Sequence, residues 1–287
     1  MWKDKVIQYF LWGSAATSIL IVALIFIFLG KEAFSFISEP GIEKLFSSRW
    51  VPVSFTREQF GLYPLITGSF LVTILATIIM IPFGVTGALY ISEFASHTER
   101  EFLKPFIEIL AGIPSVVIGF FGLLVLSPIV KSLFGLNTGL TAITGALLLA
   151  LMAIPTVISI SEDAIQSVPS SYKEASLALG ASPLQTSFRV VVPAALPGII
   201  AAIMLGMGRV VGETMVVLMV TGNAAKLTLS PFDSVRTMTA TIAAEMGEVA
   251  FGSSHYAALF WVGIVLMLIT FGLNVLAQQL LKKYQMR

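Results

Sequence analysis

Two ionisable residues stand where the chain is otherwise apolar. Arg209 and Glu213 interrupt an uncharged run that starts at 190 and continues past both charges to Ala225. If the helix carrying them enters a membrane near Pro197, Arg209 lies twelve residues deeper, about 18 Å at 1.5 Å per residue. A charge near the midplane is costly and faces a bundle interior, a cavity or a partner. The planar donors of Arg suit phosphate or carboxylate, whose oxygens they bind two at a time. Glu213 follows at i+4 and is expected to share that helix face and fix the Arg209 side chain. Arg before Glu is the less favourable order for supporting an isolated helix, so the pair is poorly explained as helix stabilisation. Gly206, Gly208 and Gly212 surround it and allow close helix approach or an open cavity. The plainer alternative is an interhelical salt bridge that touches no substrate.

Three hydroxyls are weaker candidates for the same pathway. "IPSVV" at 113–117 and "IPTVI" at 154–158 each place a hydroxyl, Ser115 or Thr156, just after a proline within a predicted span. A proline kink frees a backbone carbonyl and can turn a hydroxyl toward a cavity. Prolines that merely shape the bundle are the simpler explanation. Thr214 sits beside Glu213. Other chemistry has little material: there is no cysteine, and His97 and His255 are far apart in the chain. No GxxxxGK[ST] phosphate loop is present, so any ATP hydrolysis belongs to another chain.

The elements that must position these residues follow from composition. Apolar residues are 56% of the chain and charged residues 11%, against about a quarter charged in soluble proteins. The uncharged runs are 6–30, 59–92, 109–130, 132–161, 190–208 and 249–281, and they predict six transmembrane helices. Continuous runs of this length exclude a barrel, whose strands alternate in polarity. The first run is too long for a signal-peptide core and is expected to be a retained helix. The expectation is an all-α membrane protein, with residues 1–60 forming an N-terminal membrane helix and outer loop and residues 61–287 the transmembrane domain.

Six spans put both termini on one side. Lys3, Lys5, Lys282, Lys283 and Arg287 place that side in the cytoplasm. The outer segment 31–58 mixes charges with Phe34, Phe36, Ile37, Leu45, Phe46 and Trp50, and predicts a partly helical stretch with its aromatic residues at headgroup level. In the second outer segment, 222–255, Val235, Met238, Ile242 and Met246 recur near helical spacing and predict a short helix. Either segment offers a surface for an external substrate-delivery protein.

Between the fourth and fifth helices the chain reads "EDAIQSVPSSYKEASLALGASPLQTSFRVVVP" over 162–193. Ser171 with Glu174 three residues later predicts a capping-box start, and Gly180 a helix stop. Ser182 with Pro183 and Gln185 predicts a second start, and Pro193 marks the return to the membrane. The result is a helix–Gly–helix elbow projecting from a bundle.

The elbow resembles the EAA loop of ABC importer permeases. Glu174-Ala175-Ser176, three residues, Gly180, nine residues and Val190-Val191-Val192-Pro193 match the pattern Glu-Ala-Ala, three residues, Gly, nine residues, Ile-x-Leu-Pro, with Ser and Val as size-conservative departures. The resemblance implies the type I importer permease fold, with the elbow as a coupling helix seated in a nucleotide-binding subunit. The stretches "GRVVGETMVVLMVTGN" (208–223), "AGIPSVVIGFFGLLVL" (111–126), "RTMTATIAAEMGE" (236–248), "RWVP" (49–52) and "FGLYPLITGS" (60–69) resemble the PstC-type permeases of phosphate-specific ABC importers. That resemblance runs from about residue 49 to the end. It implies a non-catalytic phosphate permease subunit of a bacterial inner membrane, with phosphate transport associated with Arg209 and Glu213. It further implies a homologous permease subunit of PstA type, an ATPase dimer of PstB type that uses ATP and Mg, and an extracytoplasmic phosphate-binding protein of PstS type. No cofactor of this chain's own and no nucleic-acid partner are expected; membrane lipid is. Permeases for sulfate, molybdate or phosphonate would use the same elbow, whereas a gradient-driven transporter would give it no purpose.

Overall fold

The computed structural model describes residues 2–38, 40–54 and 56–285. Six of its helical stretches are long and apolar enough to cross a membrane: Lys5–Ile37, Tyr63–Phe94, Ser115–Phe134, Ala142–Gln166, Pro183–Gly212 and Ser254–Gln279. These agree with the six uncharged runs, because charges are tolerated only where a span leaves hydrocarbon. Arg287, one of the expected orienting charges, lies outside the described residues.

In chain order the elements are α1 (Trp2–Ser38), two short strands β1 (Trp50–Val51) and β2 (Gln59–Phe60), α2 (Tyr63–Leu89) with a π-turn at Tyr90–Phe94, and α3 (His97–Ala111). The third span is α4 (Ser115–Phe121), a π-turn and α5 (Ser127–Phe134), and the fourth is α6 (Ala142–Gln166). The elbow is α7 (Ser170–Ala178) and α8 (Pro183–Thr186), which a π-turn joins to α9 (Val192–Gly212). Then come α10 (Met215–Val220), α11 (Met238–Glu245) and the last span α12 (Ser254–Gln285).

α6 is the centre of the bundle, packed between α2 and α9. Its sequence explains the position. Ala142, Ala146, Ala150 and Ala153 are almost wholly buried, as are Leu148 and Leu149 on the intervening faces. A helix that is small and apolar all round can be surrounded by neighbours. Val157 of α6 is wedged between two glycines: a Cβ at Gly84 of α2 would lie 2.6 Å from its Cγ1, and one at Gly206 of α9 2.8 Å from its Cγ2. A side chain at either glycine would push the helices apart. α1 packs chiefly on α12, where Trp261 Nε1 donates to the Ala33 carbonyl at 2.9 Å and Phe28 meets Phe260 edge-on.

The far end from the elbow is pinned by one carboxylate. Glu245 pairs with Arg236 Nη1 at 2.6 Å and His255 Nε2 at 2.8 Å, and Trp50 Nε1 donates to its oxygens at 3.2 and 3.1 Å. Trp50 opposes Phe60 in the antiparallel strand pair. This arrangement corrects the expectation for residues 31–58. Phe36, Leu45 and Trp50 pack into the protein, while Phe34, Ile37 and Phe46 remain exposed. The first helix also runs on to Ser38 rather than ending near 30. The short helix expected in 222–255 is α11, with Met238 buried and Ile242 and Met246 packed beside it. Val235 precedes that helix, in an isolated bridge with Gly222.

Candidate functional site

The elbow forms largely as its sequence dictates. The Ser182 hydroxyl accepts from Gln185 N while the Gln185 side chain accepts from Ser182 N, a complete capping box with Pro183 in the first turn. Gly180 adopts φ +86°, a left-handed conformation that closes α7 and costs glycine little. Ser176, where the family pattern has Ala, bonds Thr186 hydroxyl to hydroxyl at 2.9 Å and ties α7 to α8. Glu174 and Ala175 are exposed, as are Tyr172, Leu177, Leu179 and Leu184. An apolar ridge of this kind on a projecting knob is a surface for another protein.

Two details of the elbow differ from expectation. Ser171 is not a cap: α7 begins at Ser170, and its N-cap position is Pro169, whose ring offers no acceptor for a side-chain cap. Pro193 is not a junction either. It sits in the first turn of α9, which continues from α8 through the π-turn Ser187–Val191, so the elbow's second arm is the start of the fifth span itself.

The other end of that span departs further from the sequence reading. α9 stops at Gly212; Glu213 is extended, with ψ 135°, and the chain restarts as α10 two residues later. Glu213 therefore does not share a helix face with Arg209, and the two side chains are not paired. Glu213 Oε1 instead accepts from Met215 N at 2.9 Å and Val216 N at 3.3 Å, capping α10 where exposed N–H groups favour an anion. Its carbonyl accepts from Thr239 Oγ1 of α11 at 2.8 Å. Thr214 Oγ1 turns back to the Gly212 carbonyl at 3.3 Å. An uncharged run that reads as one helix is thus a broken one.

Arg209, in the last turn of α9, reaches the fourth span and the helix α3 that precedes the third. Its Nη1 donates to Thr156 Oγ1 of α6 at 3.1 Å and its Nη2 to the Ala111 carbonyl of α3 at 3.3 Å. Both partners are neutral, and among the described residues no carboxylate pairs with the guanidinium. Thr156 follows Pro155, which lies inside α6 as expected of a kinking proline. Pro114 differs: it sits just before the first residue of α4, so Ser115 begins a span and makes no side-chain hydrogen bond among the described residues. Gly206 serves close packing, as the Val157 contact shows, whereas space is open around Gly208 and Gly212.

Three site features were not visible in the sequence. The Ala111 carbonyl carries no side-chain signature. Thr239 lies in the outer segment, yet α11 folds back to reach the break after α9. Glu162 was read as the first residue of a loop, but it lies in α6, almost fully buried against Lys104. Outside the spans, Glu99 completes a capping box at the start of α3; the Ser96 backbone N–H and hydroxyl hold its carboxyl below the usual range.

Residues 80–285 match the model of the family described as binding-protein-dependent transport system inner membrane component. A probable ABC transporter permease protein, YqgH of Bacillus subtilis strain 168, is 41% identical over 90% of this chain and 85% of its own length. The phosphate transport system permease protein PstC of Mesorhizobium japonicum is 33% identical over 95% of this chain and 90% of its own. Among solved structures, a bacterial ABC transporter involved in the import of the acidic polysaccharide alginate superposes with a TM-score of 0.66 over 98% of both chains at 14% identity, a likeness of fold. Six apolar helices, a capped elbow between the fourth and fifth, and a match over most of the length lead to one conclusion: this chain belongs to the inner membrane permease components of binding-protein-dependent ABC importers.

Proposed function

We propose that the chain is a permease subunit of an ATP-driven importer of inorganic phosphate. The observation that carries this reading is the guanidinium of Arg209, placed where two spans and α3 meet and bonded, among the described residues, only to a hydroxyl and a carbonyl. An arginine without a carboxylate partner keeps its charge and bidentate donors for an anion. Relatives named as phosphate transport permeases, matching nearly the whole chain, support phosphate as that anion.

In this reading the chain forms half of the pathway and a homologous permease subunit the other half. The elbow at Glu174–Pro193 seats in a cytoplasmic ATPase dimer, which supplies ATP and Mg, and both termini share that side. An extracytoplasmic phosphate-binding protein docks at the opposite end. Arg209 attracts the anion; Thr156 orients Arg209 rather than forming the wall of a separate site, and Glu213 shapes the break that ends α9. Ser115 and Thr214 border the same region. The ATPase's closing motion enters at Gly180 and passes along one continuous segment to Arg209, sixteen residues beyond Pro193.

Radiolabelled phosphate uptake by the reconstituted complex, with sulfate as competitor, tests the proposal. Uptake that excess sulfate leaves unchanged supports it. Sulfate displacing phosphate, or no phosphate uptake at all, would assign the pathway to another anion.

A further inference from the structure

The least expected ionisable group in the molecule is Glu162. Its side chain is 1% exposed, in α6 one turn before that helix ends, and its Oε2 pairs with Lys104 Nζ of α3 at 2.8 Å. Gln166, one turn on, donates to its other oxygen. A buried carboxylate is costly to keep unless it is paired and hydrogen-bonded, and both conditions are met here. Nothing in the proposed pathway uses it. Its role follows from what Lys104 is attached to.

α3 is anchored along one face. Arg100 donates through Nε to the Ile91 carbonyl at 3.1 Å and through Nη2 to the Ser92 carbonyl at 2.8 Å, at the π-turn that ends the second span. Lys104 meets Glu162, and Ile107 is buried. Ala111 presents its carbonyl to Arg209. Positions 100, 104, 107 and 111 follow i, i+4, i+7, i+11, one stripe of a helix about 16 Å long between its ends. The opposite stripe, including Phe102, is exposed. The same π-turn touches the elbow, because Glu93 pairs with Lys173 of α7.

We infer that Glu162 and Lys104 are positioning residues for transport: their buried pair fixes α3 on α6 and so places the Ala111 carbonyl that holds Arg209. The inference rests on the reading of Arg209 as a pathway residue. α3 is then a strut between the elbow and the anion site. The Lys104–Glu162 pair is the ion pair that ties α3 to α6 among the described residues. Neutralising Glu162 leaves Lys104 free to turn to solvent, for it is 39% exposed. α3 then loses its register, and Arg209 loses a fixed acceptor.

The test uses the complete transporter in proteoliposomes and reads anion carried per ATP hydrolysed. Glu162→Gln and, independently, Lys104→Gln are expected to lower that ratio about tenfold, within the range of single-residue coupling effects. Lys104→Arg, which keeps the charge, should retain most of it. A merely structural pair would reduce the amount of assembled complex and leave the ratio per complex unchanged. Because the chain contains no cysteine, spin labels at Phe102→Cys and Leu151→Cys report the α3–α6 distance directly. That distance distribution should broaden in both Gln variants. An unchanged ratio in both, or a fallen ratio with an unchanged distance distribution, overturns the inference. If the wild-type complex carries sulfate and not phosphate, the phosphate reading fails, and the same ratio measured with sulfate still decides the role of the pair.

Discussion

The two ends of the fifth span are held by opposite means. At its start, the contacts that close the elbow are local: Ser182 with Gln185, Pro183 in the first turn, Gly180 at φ +86°, and Ser176 with Thr186 ten residues on, with the Lys173–Glu93 pair as a tie to the second span. At its finish the contacts of the Arg209 side chain and the Glu213 carbonyl are distant. Arg209 bonds residues 53 and 98 positions away, and Glu213 is held through its carbonyl by a residue 26 positions on. A locally closed structure keeps its shape when its surroundings move, as a lever seated in another protein must. One closed by three other segments changes whenever any of them shifts, which suits a site whose access alternates. The difference assigns rigidity to the elbow and adjustability to the region around Arg209.

The largest expected effect breaks the adjustable end. Arg209→Gln should abolish phosphate uptake while the complex still assembles, since the guanidinium's charge is removed and its two neutral partners remain. Radiolabelled uptake and co-purification of the subunits read this, and wild-type uptake would end the pathway assignment. The rigid end is broken next by Gly180→Pro. Proline fixes φ near −65° and cannot adopt the left-handed value found there, so the ATPase should no longer co-purify. A stable coupled complex from that variant would mean the elbow's shape does not matter.

Smaller changes sharpen the contrast. Thr156→Val removes one of the two acceptors of Arg209, a loss of about 1–2 kcal/mol that should reduce uptake about five- to thirtyfold. Ser115→Ala, at the other copy of the proline-hydroxyl motif, should change uptake less than about twofold, because its hydroxyl holds nothing among the described residues. Equal effects from the two would return them to equal standing as pathway hydroxyls. The smallest effect belongs to Ser182→Ala. Losing the cap should cost about 1 kcal/mol, read as a lowered melting temperature, with the transport-to-hydrolysis ratio intact.

The two proline motifs illustrate what a sequence can and cannot carry. "IPSVV" and "IPTVI" read alike, and both imply a kink beside a hydroxyl. Pro155 is indeed inside a helix, with Thr156 bound to Arg209. Pro114 instead ends the short non-helical link between α3, capped by Gly112, and α4. The choice lies in how α3 packs on α6, which no local pattern encodes. Arg209 and Glu213 offer the same lesson. Spacing of four predicts partners on a helix, but the helix ends between them, and the carboxylate caps the next one.

The sequence by itself determined the six spans, their order, the elbow with its Gly180 stop and Ser182 cap, and the presence of an arginine within the fifth span. Each depends on hydrophobic length, helix-end chemistry or charge in hydrocarbon, all of which act within a few residues. Tertiary structure alone decided that α9 breaks at Glu213, that Arg209 rests on Thr156 and the Ala111 carbonyl, and that Glu162 is buried against Lys104. Those outcomes are competitions for hydrogen-bond partners between segments far apart in the chain. They are settled only when packing has fixed which groups are near enough to satisfy one another.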